Sequence, residues 1–278
     1  MGIYDSILMK AVTRRTMTIY FLIDISWSMR GYKIDAVNQA LAETIPMLQV
    51  ISEENADAEI MAAILTYGTT AEWVKEPSSI MGFISPTIYA GGQTNFKDAC
   101  IKLKEMLLRQ EAKTTGAGSY APVFILMADG GSTNAHKTVL RDLWHIKWFK
   151  HGIKAAIAIG NDVHFDMLED FTKDPDTVFR AHSIKRLKDL IKLISVKSSQ
   201  IASQSSAVQS RSRNTTSQTS TTSTAVEKQF NTAFTPQTAA SNATQEIDRV
   251  YSKQEELAKT LKLFTAAEDE DSPENWDW

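Results

Sequence analysis

Up to about residue 198, apolar runs of strand length alternate with segments of helical period. That alternation predicts an α/β fold: a doubly wound, mostly parallel sheet with one antiparallel edge strand. Two observations sharpen the prediction. Four of the runs are apolar almost without interruption, which is the pattern of strands covered on both faces. One of them is followed by Gly68-Thr69-Thr70 and a further β-rich run, the pattern of a hairpin that adds the antiparallel edge.

The runs are Thr18 to Ile23, Ile60 to Tyr67, Val123 to Ala128 and Ile153 to Ile159, with Ala71 to Lys75 as the hairpin partner. Between them, apolar residues recur at three- and four-residue steps: Ile34, Val37, Leu41, Ile45 and Leu48; Phe96, Cys100, Leu103 and Leu107; Leu140, Leu143, Trp144 and Trp148; Ile184, Leu187, Ile191 and Ile194. Asn95, Asn134, Asp162 and Ser183 stand where helix N-caps are expected. In such a fold, ligands collect at the carboxyl ends of the strands.

Beyond that region the composition changes. From Ser195 to Thr224, 17 of 30 residues are Ser or Thr and none is aromatic, so the segment has too little apolar surface to offset its ordering entropy. The expected organisation is an N-terminal arm (1–16), a folded domain (17–198), a disordered linker (199–243), an amphipathic helix (244–265) and an acidic tail (266–278). Ile247, Val250, Tyr251, Leu257, Leu261 and Phe264 share the apolar face of that helix, and the tail holds Trp276 and Trp278 among acids.

A formal net charge of −3 gives no basic field to attract nucleic acid or an anionic membrane. No apolar run approaches the roughly 18 residues of a membrane span, and no secretory signal is apparent. The single Cys100 cannot make an internal disulfide and suggests a reducing compartment. A soluble, cytoplasmic protein is expected. Met1-Gly2-Ile3-Tyr4-Asp5-Ser6 fits the loose myristoylation pattern, a match short enough to arise by chance.

Three short pieces carry chemistry. Asp24-Ile25-Ser26-Trp27-Ser28 follows the first buried strand. Gly91-Gly92-Gln93-Thr94 precedes a helical segment, and Met127-Ala128-Asp129-Gly130 ends the third buried strand. Each has a plainer reading taken singly: helix caps, a Gly-rich loop with a capping Thr, and an Asp-Gly turn. A carboxylate and two hydroxyls on one tight loop also supply part of the six-oxygen shell that Mg²⁺ requires.

The first piece resembles the D-x-S-x-S motif of the metal-ion-dependent adhesion site in von Willebrand factor A (vWA) domains. The resemblance implies a Rossmann-like vWA fold with a six-stranded, mostly parallel sheet, and a Mg²⁺ or Mn²⁺ ion held by Asp24, Ser26, Ser28, Thr94 and Asp129. Further stretches are similar to the TerY-type family of tellurium-resistance-like gene clusters, among them Lys33-Ile34, Val37-Asn38, Glu43-Thr44-Ile45-Pro46, Tyr120-Ala121-Pro122-Val123, Trp148-Phe149-Lys150 and Ile153 to Gly160. Membership would imply protein binding rather than turnover, in the company of a Ser/Thr kinase and a PP2C-type phosphatase.

Two departures from the pattern stand out. Trp27 replaces a small residue, and either narrows access to the ion, stacks on a ligand, or packs on a neighbouring loop. The usual Asp-Gly-Glu-Pro-Thr stretch is here Asp129-Gly130-Gly131-Ser132-Thr133, one carboxylate and one proline fewer. His136, His145, His151, His164 and His182 lack zinc spacing, Cys100 lies on an apolar stripe, and phosphate-binding and nucleophile-elbow motifs are missing.

The leading expectation is a non-enzymatic, metal-dependent scaffold that captures an acidic side chain on a partner protein, in a stress-response or kinase/phosphatase signalling cluster. The alternative is a regulatory adaptor phosphorylated on its Ser/Thr-rich tail, with the metal site secondary.

Overall fold

The computed structural model describes residues 14–55, 58–113, 119–131, 135–161, 163–183 and 185–197, together with Glu255 and Lys259. Six strands form one sheet: β1 (Arg15–Asp24), β2 (Ala58–Tyr67), β3 (Ala71–Ser79), β4 (Val123–Ala128), β5 (Ile153–Ile159) and β6 (Val178–Ala181). Their order is β3-β2-β1-β4-β5-β6, and β3 alone is antiparallel to its neighbour. The predicted fold class is the one observed.

Why these segments pair as they do follows from their side chains. β1, β2, β4 and β5 are buried along nearly their whole length, because helices cover both faces of the sheet. Along β1, Met17, Ile19, Phe21 and Ile23 enter one core, whereas Tyr20 and Leu22 enter the other. The first core is closed by α1 (Tyr32–Glu54) and by α6 (185–197), through Ile34, Val37, Leu41, Leu48, Leu187 and Ile191. The second is closed by α2 (Phe96–Lys113), α3 (His136–Trp144), α4 (Lys147–His151) and α5 (Asp166–Thr172). Cys100 is buried in that second core, where burial pushes its thiol pKa up, as befits a packing residue.

Several details correct the reading of the sequence. Arg15 and Thr16 belong to β1 and not to an arm, and Arg14 donates from Nη1 to the carbonyls of Ser52 and Asn55 at 3.0 Å each. The hairpin strand runs on to Ser79, past the expected end at Lys75, with register shifts against β2. The stripe from Leu140 to Trp148 is two helices, because the chain breaks at His145-Ile146. β6, only four residues long, had no recognisable run of its own.

Asn95 and Ser183 do cap helices, accepting from Asp98 N at 3.2 Å and Arg186 N at 3.1 Å. Asn134, Asp162, the linker and the acidic tail lie outside the described residues. So does the expected helix at 244–265, apart from Glu255 and Lys259, both helical and joined by an ion pair of 2.8 Å. Among the described residues, no helix is long and apolar enough to cross a membrane.

Candidate metal centre

β1 is the strand at which the winding reverses: β2 lies on one side of it and β4 on the other. The crevice at such a switch point, above the carboxyl ends, is where this architecture leaves space for a ligand. Asp24 is the last residue of β1, level with Tyr67 of β2, and Ile23 is level with Met127 of β4. Asp129, just past the end of β4, therefore comes to the same crevice.

Beyond Asp24 the chain turns sharply. Ile25 N donates to Tyr67 O at 2.8 Å, continuing the ladder by one residue. Ser26 N then donates to Asp24 Oδ1 at 2.7 Å, and a short 3₁₀ turn at Trp27–Met29 carries the chain into α1. The turn sets Ser26 Oγ 3.0 Å from Ser28 Oγ. Asp24 and Ser26 are buried, and Ser28 is exposed at the mouth.

Thr94 is fixed by backbone on either side. Gly91 N donates to Ile25 O at 2.6 Å, Trp27 N to Gly92 O at 2.9 Å, and Asn95 N to Gly68 O at 2.9 Å. The Gly91-Gly92 segment is thus laid along the Asp24–Ser28 loop, and the φ of +94° at Gly92 suits a glycine. Asp129 is held from two directions. His164 N donates to its backbone carbonyl at 3.1 Å, and Lys33 Nζ, from the first turn of α1, lies 3.1 Å from its Oδ2.

The electrostatics follow from burial. Burial pushes the Asp24 carboxyl up to about 7, and the nearby Asp129 charge adds to the rise. Hydrogen bonds from the Ser26 backbone and hydroxyl, and the Lys33 charge, oppose it. Asp24 Oδ2 and Asp129 Oδ1 are each buried without a hydrogen-bond partner. Tyr67 Oη is buried in the same condition, and burial, Asp24, Asp129 and Cys100 together raise its pKa well above the ordinary range.

Unpaired buried carboxylate oxygens are costly, and two of them facing one crevice beside paired hydroxyls are what a hard cation would satisfy. The donor set therefore fits a divalent ion bound by oxygen. Among the described residues no group of three or more His, Cys, Asp or Glu side chains is assembled for a metal, so the hydroxyls would be integral to the shell.

Of the five residues singled out in the sequence, Asp24, Ser26 and Ser28 are joined by side-chain contacts, Asp129 by strand register, and Thr94 by its backbone neighbours. Trp27 is 59% exposed, with the Arg30 guanidinium 3.7 Å above its ring, so it is not packed beneath a neighbouring loop. Arg30 is held in turn by a bond from Nε to Ala90 O at 3.2 Å. Sequence reasoning missed Lys33 and Tyr67 as members of the site. The available signal was position: Lys33 directly precedes Ile34, the first core residue of α1, and Tyr67 ends the strand beside Asp24.

The domain is thus a doubly wound α/β fold with carboxylate and hydroxyl oxygens gathered at its switch point. The chain belongs to the von Willebrand factor type A domain family, whose model matches residues 18–193. No curated protein matches it in sequence. Among solved structures it is similar to the pilus adhesin SpaC from Lactobacillus rhamnosus GG, in the open conformation, at 13% identity and a TM-score of 0.53, over 68% of this chain and 31% of that one. A von Willebrand factor type A protein from Catenulispora acidiphila matches at 13% identity and a TM-score of 0.49, over 66% and 43% of the two chains. Proximal thread matrix protein 1 from the mussel byssus, with a zinc-occupied MIDAS motif, matches at 17% and 0.48, over 65% and 47%. The chain spans less than half the length of each of these three.

Proposed function

We propose that this protein is a non-enzymatic, metal-dependent protein-binding module of the cytoplasm that captures a partner's acidic side chain at a Mg²⁺ or Mn²⁺ ion. The observation that carries the reading is the pair of buried, unpartnered oxygens, Asp24 Oδ2 and Asp129 Oδ1, beside the Ser26 and Ser28 hydroxyls. Asp24, Ser26, Ser28, Thr94 and Asp129 would hold the ion between them. The ion would supply a Lewis-acidic position open to a carboxylate oxygen from outside.

The use of the carboxylates supports binding rather than turnover. Asp24 and Asp129 would both be taken up in holding the cation, which would leave neither as a general base. The TerY-like stretches support placement in a stress-response or signalling cluster with a Ser/Thr kinase and a PP2C-type phosphatase.

Calorimetric titration of the full chain with Mg²⁺ and Mn²⁺, beside Asp24→Ala, tests the site. Saturable binding to the wild type and its loss in the variant are expected. Equal binding by both proteins would remove Asp24 from the site. A phosphatase assay in Mg²⁺ checks the non-enzymatic reading, and turnover that is lost in Asp24→Ala would overturn it.

A further inference from the structure

The Lys33 ammonium stands 3.1 Å from Asp129 Oδ2, with 12% of its side chain and 5% of that of Asp129 accessible. Its seat is built into the sheet. Gly160, just past β5, has φ of +101°, and a Cβ there would come within 2.7 Å of Lys33 Cε and 3.2 Å of Nζ. The lysine stem therefore passes over Gly160 at the carboxyl end of β5, where the positive φ favours glycine. Asp129 Oδ1 remains unpartnered, so the ammonium occupies one oxygen of the carboxylate and leaves the other to the crevice.

The geometry points to Lys33 as the residue that sets the charge of the metal-loaded site, weakening its hold on the cation and strengthening its hold on an incoming carboxylate. This inference rests on the metal-site reading above. Counted as formal charges, the carboxylates of Asp24 and Asp129 and the ammonium of Lys33 sum to one negative. A divalent ion turns that into one positive, and a ligand carboxylate then brings the site to neutrality. With a neutral side chain at position 33, the two carboxylates alone would sum to two formal negative charges. Loading would already neutralise them, so little attraction would be left for a second anion. Opposite charges a few ångströms apart in a buried setting interact far more strongly than in water, so one ammonium here tells on both equilibria.

The test uses the full chain as wild type, Lys33→Gln and Lys33→Met. Mg²⁺ affinity is read by calorimetry. Affinity for acetate, the probe carboxylate, is read by chemical-shift titration at saturating Mg²⁺. The expected result is opposite in sign for the two ligands: Mg²⁺ tighter by about tenfold or more, acetate weaker by a similar factor. A lysine that merely packs the site would weaken both when removed. Lys33→Gln keeps a donor for Asp129 and carries the test if Lys33→Met does not fold. Unchanged Mg²⁺ and acetate affinities in the neutral variants, with Mg²⁺ binding still lost in Asp24→Ala, would overturn the role of Lys33 alone. If neither the wild type nor the variants bound Mg²⁺ or Mn²⁺, the metal-site reading would fall and this inference with it.

Discussion

Asn38 and Ile88 hold each other by a reciprocal pair of hydrogen bonds: Asn38 Nδ2 donates to Ile88 O, and Ile88 N to Asn38 Oδ1, both at 2.8 Å. One side chain on α1 thereby substitutes for a strand neighbour along the irregular segment that leads to Gly91-Gly92-Gln93-Thr94. Asn38→Ala would leave both Ile88 groups without their partner, a cost of about 1–3 kcal/mol. For a domain of this size the melting temperature should fall by roughly 2–4 °C per kcal/mol. Because the same segment positions Thr94, Mg²⁺ affinity should fall as well. Thermal unfolding with and without Mg²⁺ reads both effects.

Asp24 should make metal binding depend on pH. An acid whose pKa is raised in the folded state, here to about 7 from 3.8, stabilises the metal-free fold most below the unfolded pKa. That contribution is lost as pH rises through about 7. The metal needs the ionised form, so below pH 7 binding must displace a proton. Apparent Mg²⁺ affinity is expected to fall by up to about tenfold per pH unit below 7 and to level off above it. Asp24→Asn should abolish the metal-dependent rise in melting temperature while relieving the metal-free protein of a buried charge at pH 8. At a hundredfold excess over Kd that rise corresponds to about 2.7 kcal/mol in the wild type. Titrations at pH 5.5, 6.5 and 7.5 decide the question, and a flat profile would argue against Asp24 as the titrating ligand.

Much of this was legible in the sequence because burial on both faces leaves a continuous apolar run, and β1, β2, β4 and β5 are such strands. Asp24, Ser26 and Ser28 were legible because one tight loop holds them. β6 was not, since Val178–Ala181 is short and includes the exposed Arg180. Lys33 meets Asp129 across 96 residues, a contact made only when α1 packs on the sheet and the stem crosses Gly160. No local pattern encodes that meeting. The break between α3 and α4 was hidden for the opposite reason: Leu140, Leu143, Trp144 and Trp148 all pack on the second core, so the apolar period runs on while the backbone turns.

Lys154 offers a stability test away from the metal. It lies in β5, fully buried, with Nζ donating to Phe149 O at 2.7 Å and Gly152 O at 2.5 Å and sitting 4.5 Å from the Trp144 ring centroid. Burial, and then the Lys173 charge, lower its pKa to about 7 from 10.5. A base depressed in this way penalises the fold fully below about pH 7, and the penalty is relieved as pH rises toward 10.5. Wild-type stability should therefore climb with pH across that window. Lys154→Met should flatten the climb, which denaturant titrations at pH 6.5, 8 and 9.5 would show.

Gly130 should prove far less replaceable than Gly31, although both have positive φ, +84° and +73°. A Cβ on Gly31 would meet nothing within 4 Å, so Gly31→Ala costs only backbone strain, about 1–3 kcal/mol. A Cβ on Gly130 would run into the His164 carbonyl, and a carbonyl cannot turn aside as the end of a flexible side chain can. The approach is close because His164 N donates to Asp129 O, the bond that seats Asp129 in the crevice. Gly130→Ala thus adds a collision to the strain, and relieving it means moving Asp129 away from its place beside the crevice. The expected outcome is a larger loss of stability than in Gly31→Ala, with a fall in Mg²⁺ affinity that exceeds the one in Gly31→Ala. Equal losses of stability and metal affinity in the two variants would show that strain at the glycine, and not the fit between Gly130 and His164, governs this loop.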